Sequence, residues 1–174
     1  MRKYLKREYS LIIFVLFLLV SCDLIKTRIS IDFDYNLFSA EKNSWMRSKP
    51  ANYRYNFFRN NPGFEPEMNA LIFVENGLYT EQIPDGAMGP EDRPLQPVSS
   101  DYQTIDKIYD NIESIYNSNR TKYIDEPIYL TKLIIEYDSI NHIPIKTEFY
   151  YHVKSGVFDV GNYMVYIISN FMSD

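Results

Sequence analysis

The sequence predicts an α+β fold, an antiparallel β-sheet with two helices packed on one face, in the order α-β-β-β-α-β-β-β. Three features predict it: one strongly amphipathic helical stretch, one hairpin dipeptide between apolar runs, and several segments in which apolar and polar residues alternate. The chain has 174 residues, of which 45% are hydrophobic and 24% charged. This size and composition suit a single domain once a targeting segment has been removed.

Before the first helix, apolar and polar residues alternate from Ile29 to Tyr35. This pattern predicts an extended segment that docks on the domain, with a mobile tether as the alternative. The first helix is expected at about 40–48, because Ser39 is a suitable N-cap and Pro50 disfavours helical geometry in the residue before it. It would carry Trp45.

Three strands are expected after this helix. Tyr53, Tyr55 and Phe57 alternate with polar residues and predict the first strand. The next two, at 70–74 and 78–83, are joined by Asn76-Gly77, which favours the positive φ angles of a two-residue type I′ turn. Residues 84–101 contain four prolines and two glycines, so we expect a long exposed loop there.

A second helix is predicted after Thr104, which is a suitable N-cap. Its apolar residues recur at helical spacing and form one stripe. They are Ile105, Ile108, Tyr109, Ile112, Ile115 and Tyr116. Three more strands are expected at 130–138, 143–153 and 163–171, with the turn between the first two at 139–142.

The N-terminus has the pattern of a secretory signal. Four basic residues and one acidic residue in the first ten precede ten unbroken apolar residues at 11–20, a run about half as long as a membrane span requires. The tetrapeptide Leu19-Val20-Ser21-Cys22 then resembles the lipobox of bacterial lipoproteins. The resemblance implies transfer of a diacylglyceryl group to the Cys22 thiol, detectable with labelled palmitate, cleavage between Ser21 and Cys22, and acylation of the new amino group. An ordinary cleaved signal or a short cytosolic helix is the alternative.

These features divide the chain into a signal peptide at 1–21, a lipidated N-terminus and extended segment at 22–38, and one α+β domain at 39–174. Removal of residues 1–21 takes away four of 18 basic and one of 23 acidic residues, leaving a net side-chain charge of -8. Such an acidic chain is a poor nucleic-acid binder, so no nucleic-acid partner is expected. Anionic headgroups would also repel it, which leaves anchoring to the acyl chains.

Several short motifs occur in an order that resembles a bacterial family of small secreted or lipid-anchored proteins, the domain-of-unknown-function family six-one-seven-four. They are Trp45 in the first helix, Asn52-Tyr53-Arg54-Tyr55, Val74-Glu75-Asn76-Gly77, Thr104-Ile105-Asp106, Tyr137-Asp138 with Pro144, and Ser169-Asn170-Phe171. The turn after Asp138 lacks the glycine of the family pattern. The resemblance implies an extracytoplasmic α+β domain on an inner or outer membrane, and no activity.

Residues for catalysis are few. The only imidazoles are His142 and His152, and the only cysteine is assigned to lipid. A general base at His152 oriented by Asp159 would make the protein an enzyme of unrecognised type. No zinc ligand set, phosphate-binding glycine motif or EF-hand spacing is present, although three acids in the long loop are candidate calcium ligands. They are Asp85, Glu91 and Asp92. No cofactor or metal is therefore expected.

Tyrosines supply the candidate binding residues. Tyr53, Tyr55 and Tyr150, with His152 beside them, would form an aromatic sheet surface for an envelope protein or a small ligand; the alternative is that the rings fill the core. The sequence thus favours a lipid-anchored, non-enzymatic binding module of the bacterial envelope. The competing hypotheses are the enzyme that uses His152 with acidic partners and an inhibitor-like module.

Overall fold

A computed structural model of the chain describes residues 27–61, 65–84, 99–155 and 162–174. Within these ranges, two α-helices and six strands follow one another in the predicted order α-β-β-β-α-β-β-β, which confirms the α+β fold. The elements are α1 (Tyr35–Ser48), β1 (Tyr53–Asn61), β2 (Glu65–Glu75), β3 (Leu78–Pro84), a 3-10 turn (Ser100–Tyr102), α2 (Ile105–Arg120), β4 (Ile128–Tyr137), β5 (Pro144–Val153) and β6 (Tyr163–Ser173). The predicted signal peptide, Cys22, the three loop acids and Asp159 lie outside the described residues.

All six strands form one antiparallel sheet in the order β3-β2-β1-β6-β5-β4. Each half of the chain therefore contributes a three-stranded meander, and the two meanders meet where β1 pairs with β6. In β1 and β6, Phe57 lies opposite Ile168 and Phe58 lies opposite Ile167.

One face of this sheet forms the core together with both helices. Tyr55, Phe57, Ile72 and Phe149 point to this face and are fully buried. The helices add their apolar stripes to the same cluster. Their buried members are Phe38 and Trp45 of α1 and Ile105, Ile108, Tyr109 and Ile112 of α2.

The local signals for the hairpin and for α2 are confirmed. Asn76 and Gly77 have φ angles of 53° and 75°, as a type I′ turn requires. The Thr104 side chain accepts a hydrogen bond from the Lys107 amide at 3.2 Å, which caps α2 at the predicted residue.

The predicted start of the first helix is wrong. Helix α1 begins at Tyr35 rather than near residue 40, and its N-cap is Asp34, whose carboxylate accepts the Leu37 amide at 2.9 Å. The additional turn is held by aromatic packing, since the Tyr35 ring stacks on Tyr116 with centroids 5.3 Å apart. The boundary drawn between residues 38 and 39 thus falls inside α1.

Residues before α1 dock along the outer edge of β4, as predicted for the extended segment. The Asp32 amide donates to the Thr131 carbonyl at 3.0 Å, and the Leu133 amide donates to the Asp32 carbonyl at 3.1 Å. Ile29 is buried. This segment satisfies backbone groups that an edge strand otherwise presents to solvent.

An ionic cluster joins the exposed sides of the two helices. The Trp45 indole donates to Asp106 at 2.7 Å, and the Lys42 ammonium lies 2.9 Å from Asp110 and 2.7 Å from Glu113. Hydrogen bonds from Lys42 and then Tyr35 lower the pKa of Glu113. Three acids spaced one turn apart on α2 therefore each meet a partner on α1.

A buried amide ties the end of α2 to β4. The Asn119 side chain donates to the Ile115 carbonyl at 2.8 Å and accepts the Leu130 amide at 3.0 Å. Because Leu130 is fully buried, its amide has no access to water as a replacement partner.

The lowered pKa of Glu113 makes part of the stability dependent on pH. A carboxyl whose pKa is lower in the folded state stabilises the protein above the unfolded-state pKa of about 4.3 and loses this contribution as the pH falls through the folded-state pKa. Relative to the wild type, we expect Glu113→Gln to lower the free energy of unfolding at neutral pH and the difference to shrink below about pH 4. Urea unfolding at several pH values measures this, with exposed Glu126→Gln as the control. A difference that does not vary with pH would contradict it.

Removal of the Asn119 side-chain amide leaves the backbone N–H of Leu130 without its acceptor. We expect Asn119→Ala to lower the free energy of unfolding by about 1–3 kcal/mol, measured by urea denaturation. The matched variant is Asn117→Ala on the same helix, which we expect to cost less than about 1 kcal/mol. Equal losses in the two variants would argue against the assigned role of Asn119.

Candidate functional site

The structure separates the four predicted binding residues between the two faces of the sheet. Tyr53 and Tyr55 point into the core, where the Tyr53 hydroxyl accepts the Ile105 amide at 3.3 Å and the Tyr55 hydroxyl donates to the Tyr102 carbonyl at 2.7 Å. Burial raises the pKa of Tyr53 to about 12 and that of Tyr55 well above its usual value. Their assignment to a binding surface is therefore wrong, because both rings and hydroxyls are used to hold the core together.

Tyr150 and His152 lie on the opposite face. The exposed His152 ring stacks on Tyr129 of the neighbouring strand with centroids 4.9 Å apart. The Tyr150 ring contacts Tyr163 at 5.3 Å. These four rings form an aromatic row across β4, β5 and β6 near one end of the sheet.

A carboxylate with two donors lies next to this row. Glu148 accepts a hydrogen bond from the Tyr163 hydroxyl at 2.7 Å and lies 3.1 Å from the Lys146 ammonium. The bond from Tyr163, followed by that from Lys146, lowers the pKa of Glu148. Desolvation and the bond to Glu148 raise the pKa of Tyr163 to about 12. The carboxylate is thus held charged and in a fixed orientation.

Apolar side chains also lie on this face, between its charged residues. Phe58, Leu71, Phe73 and Ile167 are half-buried, and none belongs to the core cluster. In the part of the chain that the structure describes, no helix packs over them. We call the outward side of the sheet, from Leu71 on β2 to Tyr129 on β4, the open face.

The predicted pair of the base His152 and its orienting acid Asp159 falls partly outside the described residues. The ring contact of His152 is with Tyr129, and Asp159 lies outside those residues. His142 is in a turn, as predicted, but its Nδ1 lies 2.8 Å from the Glu41 carboxylate. No local pattern indicates this pair, because 101 positions separate the two residues.

A buried polar chain was also missed. Arg59 donates to the Tyr102 hydroxyl at 3.4 Å, that hydroxyl lies 3.1 Å from the Tyr166 hydroxyl, and Tyr166 donates to Asn111 at 3.1 Å. The Arg59 guanidinium also lies 5.2 Å from the centre of the Tyr102 ring. The signal for Arg59 was the alternation of β1, which places every second residue inward and extends past Phe57.

Neither a cluster of metal ligands among the described residues nor a similar protein indicates a further site. Within the described ranges, no three His, Cys, Asp or Glu residues are arranged to hold a metal ion, and no helix there has the length and apolarity to cross a bilayer. No protein-family model, curated protein or solved structure matches the chain. The open face is therefore the candidate site on its geometry alone.

Removal of one hydroxyl distinguishes the tyrosines of the core from those of the open face. We expect Tyr55→Phe to lower the free energy of unfolding by about 1–3 kcal/mol, since it leaves the buried Tyr102 carbonyl without its donor. Tyr129→Phe keeps the ring that stacks on His152, so we expect a change within about 0.5 kcal/mol. Urea denaturation measures both, and a larger loss for Tyr129→Phe would contradict the assignment.

Proposed function

We propose that the protein is a lipoprotein of the bacterial cell envelope, acylated on Cys22, whose α+β domain is a binding module for another envelope component. The observation that carries the proposal is the ten-residue apolar run at 11–20, followed directly by Ser21 and Cys22. An export signal consists of a basic segment, an apolar run of this length and a small residue at the cleavage site.

The position of the folded domain along the chain supports an anchor at Cys22. Thr27, the first described residue, is already paired with the domain, because its carbonyl accepts the Ile124 amide at 3.2 Å. Five residue steps separate Thr27 from Cys22, and an extended chain of that length reaches at most about 18 Å. The domain would therefore be held beside the membrane that contains the acyl chains.

The open face supports a binding role. On the helix side, several polar and charged side chains are engaged in contacts within the domain. Trp45, Lys42 and Glu41 all bond to other parts of the chain. On the open face, by contrast, aromatic and apolar side chains lie together beside the ion pairs that Lys146 forms with Glu148 and Glu136. Aromatic residues are enriched in protein interfaces, and contiguous apolar surface marks sites of interaction.

Labelling with palmitate tests the anchor. In cells that express the full chain, we expect wild-type protein to incorporate labelled palmitate and to sediment with membranes, and Cys22→Ser to do neither, because serine offers no thiol for acylation. Ser21→Ala is the matched control, since it keeps a small residue before the cysteine and so keeps the label. Incorporation into Cys22→Ser, or none into the wild type, would overturn the proposal.

Photo-crosslinking tests the binding role. A photoreactive amino acid at position 150 on the open face is expected to yield a discrete adduct with an envelope protein in intact cells. The control position is 107, which is exposed on α2 on the opposite side of the domain. Adducts of equal yield from both positions, or from neither, would count against the open face as the binding surface.

A further inference from the structure

One corner of the domain collects cations around the point where the N-terminal segment joins the fold. We call it the basic corner and define it by Arg28, Arg120, Lys122, Ile124 and Lys154. The Ile29 amide donates to the Lys122 carbonyl at 3.2 Å, and the Ile124 amide bonds to Thr27. The corner therefore lies beside the residues that lead directly to Cys22.

The two ammonium groups at this corner donate to backbone carbonyls rather than to carboxylates. Within the described residues, no ion pair involves any of its four cations. The Lys122 ammonium donates to the Ile128 carbonyl at 3.0 Å, and the Lys154 ammonium donates to the Asp125 carbonyl. Two acids, Asp125 and Glu126, lie in the same connection, so the corner carries a net charge of +2 in a mature chain whose total is -8.

An exposed aliphatic residue lies among these cations. Ile124 is 51% exposed, and the stacked Tyr129 and His152 rings border the corner at the start of β4 and the end of β5. Basic residues around an exposed apolar side chain, with tyrosine at the boundary, are typical of surfaces that contact the headgroup region of a membrane.

We infer that the basic corner rests on the anionic headgroups of the membrane that holds the acyl chains, so that the domain has one orientation rather than turning freely on its anchor. The inference depends on the acylation of Cys22 proposed above. The reach of about 18 Å from Cys22 to Thr27 keeps the corner near the headgroups, and its charge then favours contact. The net charge of -8 does not reveal this surface, because all but two of the acids lie outside the basic corner.

The opposite corner of the sheet provides an internal reference. Leu78, 70% exposed, starts β3, the edge strand farthest from β4, and lies at the other end of the strands. Six strands spaced about 4.8 Å apart place it about 24 Å across the sheet from β4. In the proposed orientation it points away from the membrane.

Site-specific fluorescence quenching tests the orientation. The full chain, acylated in cells, is reconstituted into vesicles of phosphatidylcholine with or without phosphatidylglycerol, and Ile124→Cys or Leu78→Cys carries the fluorophore. Cys22 is the only natural cysteine, and in protein that carries the proposed lipid its thiol is blocked from labelling. With quencher-labelled lipids, we expect quenching at position 124 to exceed that at 78 by at least about threefold in anionic vesicles and to fall with added salt. Thr121→Cys provides a second label site should Ile124→Cys fail to fold.

Charge reversal supplies the matched control. Arg28→Glu with Lys154→Glu is expected to lower the population of the membrane-facing orientation by more than about tenfold, measured as the loss of quenching at 124. Arg47→Glu with Lys107→Glu makes the same change in charge on the exposed sides of the helices and is expected to leave the quenching unchanged.

The outcomes separate the two proposals. Equal quenching at 124 and 78 in protein that carries palmitate and sediments with vesicles would overturn the orientation and leave the anchor intact. Quenching at position 124 that is unchanged in the variant with Arg28→Glu and Lys154→Glu would also overturn the orientation and leave the anchor intact. Protein that neither takes up palmitate nor sediments would overturn both.

Discussion

Both helices lie across the same face of the sheet, and the aromatic side chains between the two layers hold them there. Trp45 packs on Tyr53 with ring centres 5.5 Å apart, and Phe57 stacks on Tyr102 at 4.9 Å. Because α1 and α2 are both on this side, the second side of the sheet is left uncovered by the described elements. The packing of the core thus determines which surface is free for a partner, and the open face follows from it.

The same packing determines where the two ends of α2 lie in the domain. Helix α2 runs from β1, where the Ile105 amide meets Tyr53, to β4, where Asn119 meets Leu130. Its C-terminal end lies beside the connection that holds the incoming N-terminal segment. The basic corner is therefore built from the end of α2, the start of β4 and the end of β5, which are far apart in sequence and adjacent only in the fold.

Strongly periodic segments were predictable and tertiary pairings were not. The α2 stripe and the Asn76-Gly77 turn depend on local geometry, and both were identified correctly. The start of α1 was missed because the turn from Tyr35 depends on contact with Tyr116, which no local pattern indicates. Alternation showed that neighbouring strand residues face opposite sides, but Tyr53 and Tyr150 have equivalent local patterns. Which side the helices cover is a property of the whole sheet, so the two tyrosines could not be told apart.

The N-terminal segment also has a consequence for how copies of the protein meet one another. An uncovered edge strand is a template on which a second molecule adds its own strand. Residues 27–33 occupy that position along β4, and Asp32 takes up the backbone groups of Thr131 and Leu133. A recombinant form that starts at α1 would uncover this edge and acquire a tendency to aggregate. Residues 27–33 therefore also protect this edge of the sheet from self-association.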